Sequence, residues 1–576
     1  MRLTLPLSIL ALFLLLGAFS RGYYSKEYPR DYFRPPVDKP MYLSGTFGEL
    51  RSNHFHSGID IKAYGGKTGQ PILACAEGYV SRIKVEAGGY GNALYVDHPN
   101  GYTTVYAHLK GFYPEIEEYV KAKQYEKRTF EVNLYPEAGQ FPVEKGQQIG
   151  KLGLTGTSFG PHLHFEIRET KSEKTLNPLH FGFKVRDDVR PFMTQLRVYG
   201  LNKKREALDT RSYDVLRSGK GYRVSGDTLV IDAWRAGFAI KTYDKQSGTS
   251  NWNGVYRISL FENDSLIYRY QMDGFHFDET RYINAHLDYE EQITKKSYFN
   301  RCYLMPGNEL SVYQSVERNG VVELYRRKAT EIRITSEDIE GNMTELRFWV
   351  KRGEVDSPAS ATFNYLLPWD EPSIIENGDI RMYFPKGCLY ENLYLQYSSS
   401  SERSSGVYSN VYHIQDYKTP VHSWYDIAIQ PVGLPEGKRD KAFIAYCDDK
   451  NRILNCGGEW KEDGRLATKV RDLGDFSIMV DEVAPVIKPI TFRTNMRGYN
   501  RMTFKITDNY ETARNVEGLR FDATIDGKWI LMEFDKKNDL LTHRFDGRIP
   551  PGEHDFKLKV KDAVGNETVI QRKITL

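Results

Sequence analysis

Apolar and polar residues alternate with period two along most of this chain, in short runs separated by Gly, Pro, Asn and Asp. Residues 71–76, 79–85, 93–97 and 102–109 read as strands of this kind. Pro99-Asn100-Gly101 lies between the last two, and Asn-Gly between alternating segments predicts a hairpin. One stretch breaks the pattern: Pro114-Glu-Ile-Glu-Glu-Tyr-Val-Lys-Ala-Lys-Gln-Tyr125 is compatible with a helix. From residue 186 onward the chain is again strand-rich, with turn signals at short intervals. The pattern predicts a mainly β protein.

A repeat shows in the C-terminal part. Asp187-Asp-Val-Arg-Pro191 is matched by Asp481-Glu-Val-Ala-Pro485, each leading into an apolar strand. Further on, Asp338-Ile-Glu-Gly-Asn342 is matched by Asp562-Ala-Val-Gly-Asn566, each preceded by an alternating strand. Strand, Asp-x-x-Gly-Asn turn and strand suggest the closing hairpin of an immunoglobulin-like sandwich. The first copy is longer, so it carries an insertion. The expected organisation is residues 39–185, then β modules at 186–352, 353–480 and 481–576. Before them come a signal segment at 1–20 and an extended entry segment at 21–38.

At 576 residues the chain is too long for one core. Its 79 basic and 76 acidic residues nearly cancel, so charge gives no reason to expect a nucleic-acid partner. Arg2 followed by the apolar stretch 3–19 and Ala18-Phe-Ser20 has the form of a secretory signal with a small-residue cleavage site. An uncleaved anchor is the alternative, but the run is short for a span. No Cys follows it to carry a lipid, and no later segment is apolar for long enough to cross a bilayer. Secretion across the inner membrane into the periplasm or envelope is the expectation. Five cysteines exclude a disulfide scaffold. Cys447 and Cys456 flank a polar stretch and could close a hairpin, or all five thiols could be unpaired.

The candidate chemistry lies in two motifs, His56-Ser-Gly-Ile-Asp60 and His162-Leu-His164. A hydrolytic zinc needs three protein ligands and an open fourth position. One His and one Asp from the first motif and one His from the second supply three, leaving a His and His108 free to handle protons. Strand alternation supports this: His162, His164 and Glu166 share one face, with Leu163, Phe165 and Ile167 on the other. By the same rule His108 shares a face with Tyr102, Thr104 and Tyr106, and His56, Gly58 and Asp60 point away from Ile59 and Ile61. His54 competes as a ligand by position, and His98 at the hairpin suits a structural role.

Residues 45–183 resemble the lysostaphin-type, LytM-like zinc endopeptidases of peptidase family M23, which cut peptide bridges in peptidoglycan. The landmarks are the two motifs, Tyr90-Gly-Asn92, His98-Pro-Asn-Gly101, Tyr106-Ala-His108-Leu109 and the glycine-rich run from Gly150 to Gly160. The resemblance implies an antiparallel β-sheet peptidase domain, with Zn2+ held by His56, Asp60 and His164. It also implies His162 as general base and His108 as the group that stabilises the intermediate or orients water. Which of the two histidines is the base is left open, and Glu166 ranks below His162 for that role. Residues 110–142 exceed the usual span of the family and could form a lid, a wall of the groove or a plain surface insertion. The glycine-rich run could present backbone groups to an extended peptide or simply permit tight turns.

The function expected is a secreted zinc metalloendopeptidase acting on peptidoglycan peptides. The alternatives are a non-catalytic cell-wall-binding regulator on the same fold, and an adhesion or interaction protein whose C-terminal β modules bind wall or a protein partner.

Overall fold

The structure, a computed structural model, describes residues 27–219, 221–355, 362–401 and 405–576. The signal segment expected at 1–20 lies outside the described residues, as does the start of the entry segment. No helix among the described residues is long and apolar enough to cross a membrane.

The sheet that carries the histidines is built on β1 (Leu43–Gly45), β2 (Ile59–Lys62), β3 (Gly78–Val85), β4 (Asn92–Asp97), β5 (Tyr102–Ala107), β6 (Val132–Leu134) and β7 (His162–Glu169). These lie in the order β1-β2-β7-β5-β4-β3-β6, each neighbouring pair antiparallel. Register sets Asp60 opposite His164 and His164 opposite Ala107. Leu163, Phe165 and Ile167 are wholly buried beneath them with Ile59 and Ile61. Each such side chain contributes roughly 1.5–3 kcal/mol, so a one-residue slip of β7 would expose three apolar groups and bury two imidazoles.

The strand expected over residues 102–109 is interrupted. β5 ends at Ala107, and His108 takes a left-handed φ of 58° before the chain resumes at Leu109–Phe112. The shared face expected for Tyr106 and His108 therefore does not hold. Tyr106 packs in the core against Phe165, while Val105 and Ala107 lie on the side of Tyr90. His108 reaches that side only because its backbone turns over.

The helix signal is met by α1 (Pro114–Lys127), which begins with Pro in its first turn and ends at Arg128 in the left-handed conformation. Ile116 and Val120 pack into the sheet's core. On its other side Lys121 pairs with Asp546, and Tyr125 meets Trp529 at 5.2 Å and Arg548 at 4.3 Å. The insertion is thus tied to the C-terminal module.

The C-terminal part is strand throughout. Strands between Phe192 and Arg352 form one eleven-stranded sheet. Its core is continuous with that of the first sheet: Phe275 packs on Phe47 and Phe55, and Thr175–Leu176 pairs with Gly274–Phe275. A five-stranded and a six-stranded sheet then enclose Tyr425, Ile427 and Phe476. Two four-stranded sheets enclose Phe504, Leu541 and Phe556. Both repeated turns join antiparallel strands, Thr330–Glu337 with Met343–Arg352 and Glu553–Lys561 with Glu567–Thr575.

All five cysteines are free. Cys447 lies opposite Ile453, whereas Cys456 bonds through its backbone to Ile444, so the hairpin register separates the two thiols.

Candidate metal centre

Three donor atoms from two segments meet at one point. His56 Nε2, Asp60 Oδ1 and His164 Nδ1 are each 3.0 Å from the other two. All three residues are buried. β2 and β7 deliver Asp60 and His164 as a cross-strand pair, and His56 enters from the turn before β2. Gly58 lets this turn close, because a Cβ there would lie 2.3 Å from the Phe165 carbonyl oxygen and 2.8 Å from Glu166 Cγ.

Outer contacts fix which atoms face inward. His56 Nδ1 donates to the Thr46 carbonyl at 2.7 Å, and His164 Nε2 donates to Glu166 Oε1 at 2.8 Å. Each ring therefore turns a bare nitrogen lone pair toward Asp60. Arg51 binds the other carboxylate oxygen, Oδ2, at 3.3 Å, leaving Oδ1 for the centre. Convergent lone pairs repel unless a proton or a cation lies between them. Burial alone would lower the His164 imidazole, but its bonds to Asp60 and Glu166 outweigh that and carry it up to about 9. Asp60 is held well below the usual carboxylate range, its own burial overcome by His56 and the other two imidazoles.

The donor set fits zinc. Ligands at 2.0–2.1 Å in a tetrahedron stand about 3.3 Å apart, close to the separations here, and neutral imidazole with carboxylate is a common zinc combination.

The two other predicted histidines flank the cluster. His162 Nε2 is 3.4 Å from Asp60 Oδ1, and its Nδ1 donates to the Gly160 carbonyl at 2.8 Å. His108 Nδ1 donates to the Thr155 carbonyl at 2.9 Å, and its ring lies 4.8 Å from that of His162. Both are left with Nε2 free to accept a proton. Burial, reinforced by His164 and His162, pushes His108 down to about 3, so its ring is neutral at ordinary pH. All five expected residues are brought together. His54 is outside, exposed and bonded to Ser52, and His98 is a buried structural residue between Glu77 and Thr104.

A supporting layer lies behind the centre, and sequence reasoning reached only Glu166 in it, one step along β7 where a supporting or solvent-facing role fits, and not its partners. Glu166 is fully buried and accepts from Ser57 Oγ, Tyr90 Oη, His164 Nε2 and Arg168 Nε. It has no proton-transfer position open to it, which removes it as a base. The Arg168 guanidinium, with His164, overrides the effect of burial and holds its carboxyl far below the usual range. The Tyr90-Gly-Asn92 landmark carries part of the signal. Tyr90 reaches Glu166, while Asn92 donates its side-chain amide to the Leu109 carbonyl and its backbone N–H to Thr155 Oγ1. Thr155 is the residue whose carbonyl orients His108. The glycine-rich run thus has a turn-forming role: Gly156 has φ 69°, and a Cβ there would lie 2.4 Å from the Gly89 carbonyl oxygen.

Comparison with known proteins places this arrangement. Residues 54–125 and 133–178 match peptidase family M23. Lipoprotein NlpD of Yersinia enterocolitica is 34% identical over 116 residues, 20% of this chain and 93% of that protein. The chain belongs to peptidase family M23. Among other M23-type relatives, the DD-carboxypeptidase/endopeptidase Mpg of Neisseria meningitidis serogroup B is 36% identical over 131 residues. That match spans 22% of this chain and 24% of Mpg, so about a quarter of either protein is shared. The murein hydrolase activator NlpD of Escherichia coli K12 is 34% identical over 136 residues, 24% of this chain and 28% of that one. Outside the M23 region, residues 364–481 match the Zu5-like domain.

Proposed function

We propose that this chain is a zinc metalloendopeptidase of the cell envelope, hydrolysing peptide bonds in peptidoglycan cross-links or stem peptides. The observation that supports it most is the convergence of His56 Nε2, Asp60 Oδ1 and His164 Nδ1, flanked by His162, whose Nε2 faces Asp60, and by His108. Those three residues would hold the metal. Zinc bound there supplies Lewis acidity, polarising a substrate carbonyl and bringing the pKa of water toward about 7.

The chain's own residues do the rest. His162, its tautomer fixed by Gly160, takes a proton at Nε2 and returns it to the leaving amine. His108, neutral and held by Thr155, presents Nε2 beside it to orient water or, once protonated, to donate toward developing negative charge. Glu166 with Arg168 and Tyr90 keeps the His164 ring in place. The relatives' names, an endopeptidase and a murein hydrolase activator, support a peptidoglycan substrate, and we place the chain in the envelope, reached by secretion, to meet it. On this reading the C-terminal β modules bind wall or a protein partner.

A second reading is favoured by the activator among the relatives: a regulator that keeps the fold without turnover. Its difficulty is that the metal donors and both auxiliary histidines are in place. Zinc-loaded protein is incubated with purified peptidoglycan and the soluble fragments are identified by mass spectrometry. New peptide termini support the peptidase, and a zinc-loaded protein that releases none supports the regulator.

A further inference from the structure

Two clusters of carboxylates lie outside the histidine centre. Asp187, Asp244 and Asp338 bring one oxygen each within 4.8 Å of one another, and Asp481, Asp508 and Asp562 do the same. They are built alike. Asp187 and Asp481 lead into their modules; Asp244 and Asp508 follow the strands Arg235–Tyr243 and Arg501–Thr507; Asp338 and Asp562 open the repeated turns. In each copy the turn asparagine ties two members. Asn342 Nδ2 donates to Asp338 Oδ2 and the Asp187 carbonyl, and Asn566 Nδ2 to Asp562 Oδ2 and the Asp481 carbonyl.

The first cluster is incomplete as it stands. Asp244 is 4% exposed, and its Oδ1 has no hydrogen-bond partner. Asn253, 2% exposed, has neither Oδ1 nor Nδ2 partnered. Both line one cavity of about 40 Å³ with Asp187 and Asp338. Among the described residues no Lys or Arg pairs with these three carboxylates: of the two adjacent in sequence, Arg186 pairs with Asp188 and Lys245 lies over the Trp252 ring. Burial, then Asp187 and Asp338, pushes Asp244 up to about 8, and burial with Asp338 behind it takes Asp187 to about 6. The second copy lacks this support: Asp508 is only half-buried, and Asp481 Oδ1 already accepts from Asn509 Nδ2 and the Val483 N–H.

Asp187 Oδ1 accepts from the Val189 and Ser247 N–H groups and Asp338 accepts from Asn342, but neutral donors leave three grouped negative charges, which are costly, and a cation removes the cost. The donors are all oxygen, which suits a hard ion rather than zinc. Calcium holds oxygens at 2.3–2.6 Å, so opposite ligands stand about 5 Å apart, and the measured spread fits within that. We infer that the first copy builds a calcium site, formed by Asp187, Asp244, Asp338 and Asn253.

The site sits where the histidine-bearing sheet passes the chain to the next module, and it touches that sheet. Gln246, two residues past Asp244, accepts from the Leu43 backbone N–H at 2.7 Å and donates to the Met41 carbonyl at 3.1 Å. Thr46, on the wall of the same cavity, is the residue whose carbonyl orients His56. Calcium there would fix the Asp244–Asn253 loop against β1 and stiffen the junction.

The test is calcium titration of the full, zinc-loaded chain after calcium removal on a chelating resin, with zinc content checked as unchanged. Calorimetry is expected to show calcium uptake with Kd of about 10⁻⁴ to 10⁻³ M as in extracellular modules, and Tm is expected to rise with calcium. Asp244→Asn should lose one ion. Wild-type protein that takes up no calcium at millimolar concentration, or uptake that is unchanged in Asp244→Asn, overturns the inference. Should a variant fail to fold, the wild-type stoichiometry and Tm response decide.

Discussion

At the residue scale, four imidazoles within one cleft have different work because their outer partners differ. His56 and His164 are pinned so that their bare nitrogens meet Asp60 Oδ1. His162 and His108 are pinned by carbonyls, which leaves Nε2 free. We therefore expect Asp60→Ala and His164→Ala to lose zinc and activity together. His162→Ala should keep its zinc and lose about 10²–10⁴ of turnover, read by metal analysis alongside fragment release. Near-normal hydrolysis by His162→Ala would reject it as the base. Glu166→Gln keeps the size of the side chain but weakens its hold on His164 and Arg168. Zinc affinity should fall about 10- to 100-fold in a competition titration with a chromophoric chelator, while the fold persists.

At the scale of elements, period two made β7 legible: two histidines and three apolar residues sort cleanly onto opposite faces. The same rule failed one residue beyond β5, because His108 leaves strand geometry, and nothing in its sequence neighbourhood announces a positive φ. The inward-facing layer was hidden for a related reason. Arg51, Ser57, Tyr90 and Arg168 come from four segments, and only register and turn geometry unite them. The carboxylate clusters were half visible, since the repeated motifs supply two members of each and Asp244 and Asp508 belong to no motif. A separate prediction concerns the helix Ile283–His286. His286 is buried, stacked on Tyr270 at 4.5 Å, with Nε2 donating to Asn300 and Nδ1 facing Tyr313 Oη. Burial pushes it down to about 4. The unfolded chain then binds the proton more readily, so stability is lost as pH falls from about 6.5 to about 4, by up to roughly 3 kcal/mol. His286→Gln should flatten that part of the denaturation profile relative to the parent.

For the whole molecule, the insertion acts as a strut rather than a free loop. α1 sits between the sheet's core and the last module, held by Lys121 to Asp546 and by Tyr125 to Trp529 and Arg548. The same module touches the rim of the histidine cleft, where Lys537 Nζ donates to the Ser158 carbonyl at 2.8 Å, beside His162. Asp546→Lys replaces this attraction with repulsion. Hydrogen exchange should quicken in α1 and in the strands Leu540–Arg544 while zinc content stays unchanged; unaltered exchange in both would mean that the strut bears no load. The measurement that bears most directly on the central claim is X-ray absorption at the zinc edge of the purified, full-length protein. The account predicts one zinc with two imidazole nitrogens and carboxylate oxygen at about 2.0–2.1 Å, lost in His164→Ala. No zinc after reconstitution, or a shell containing sulfur, would contradict it.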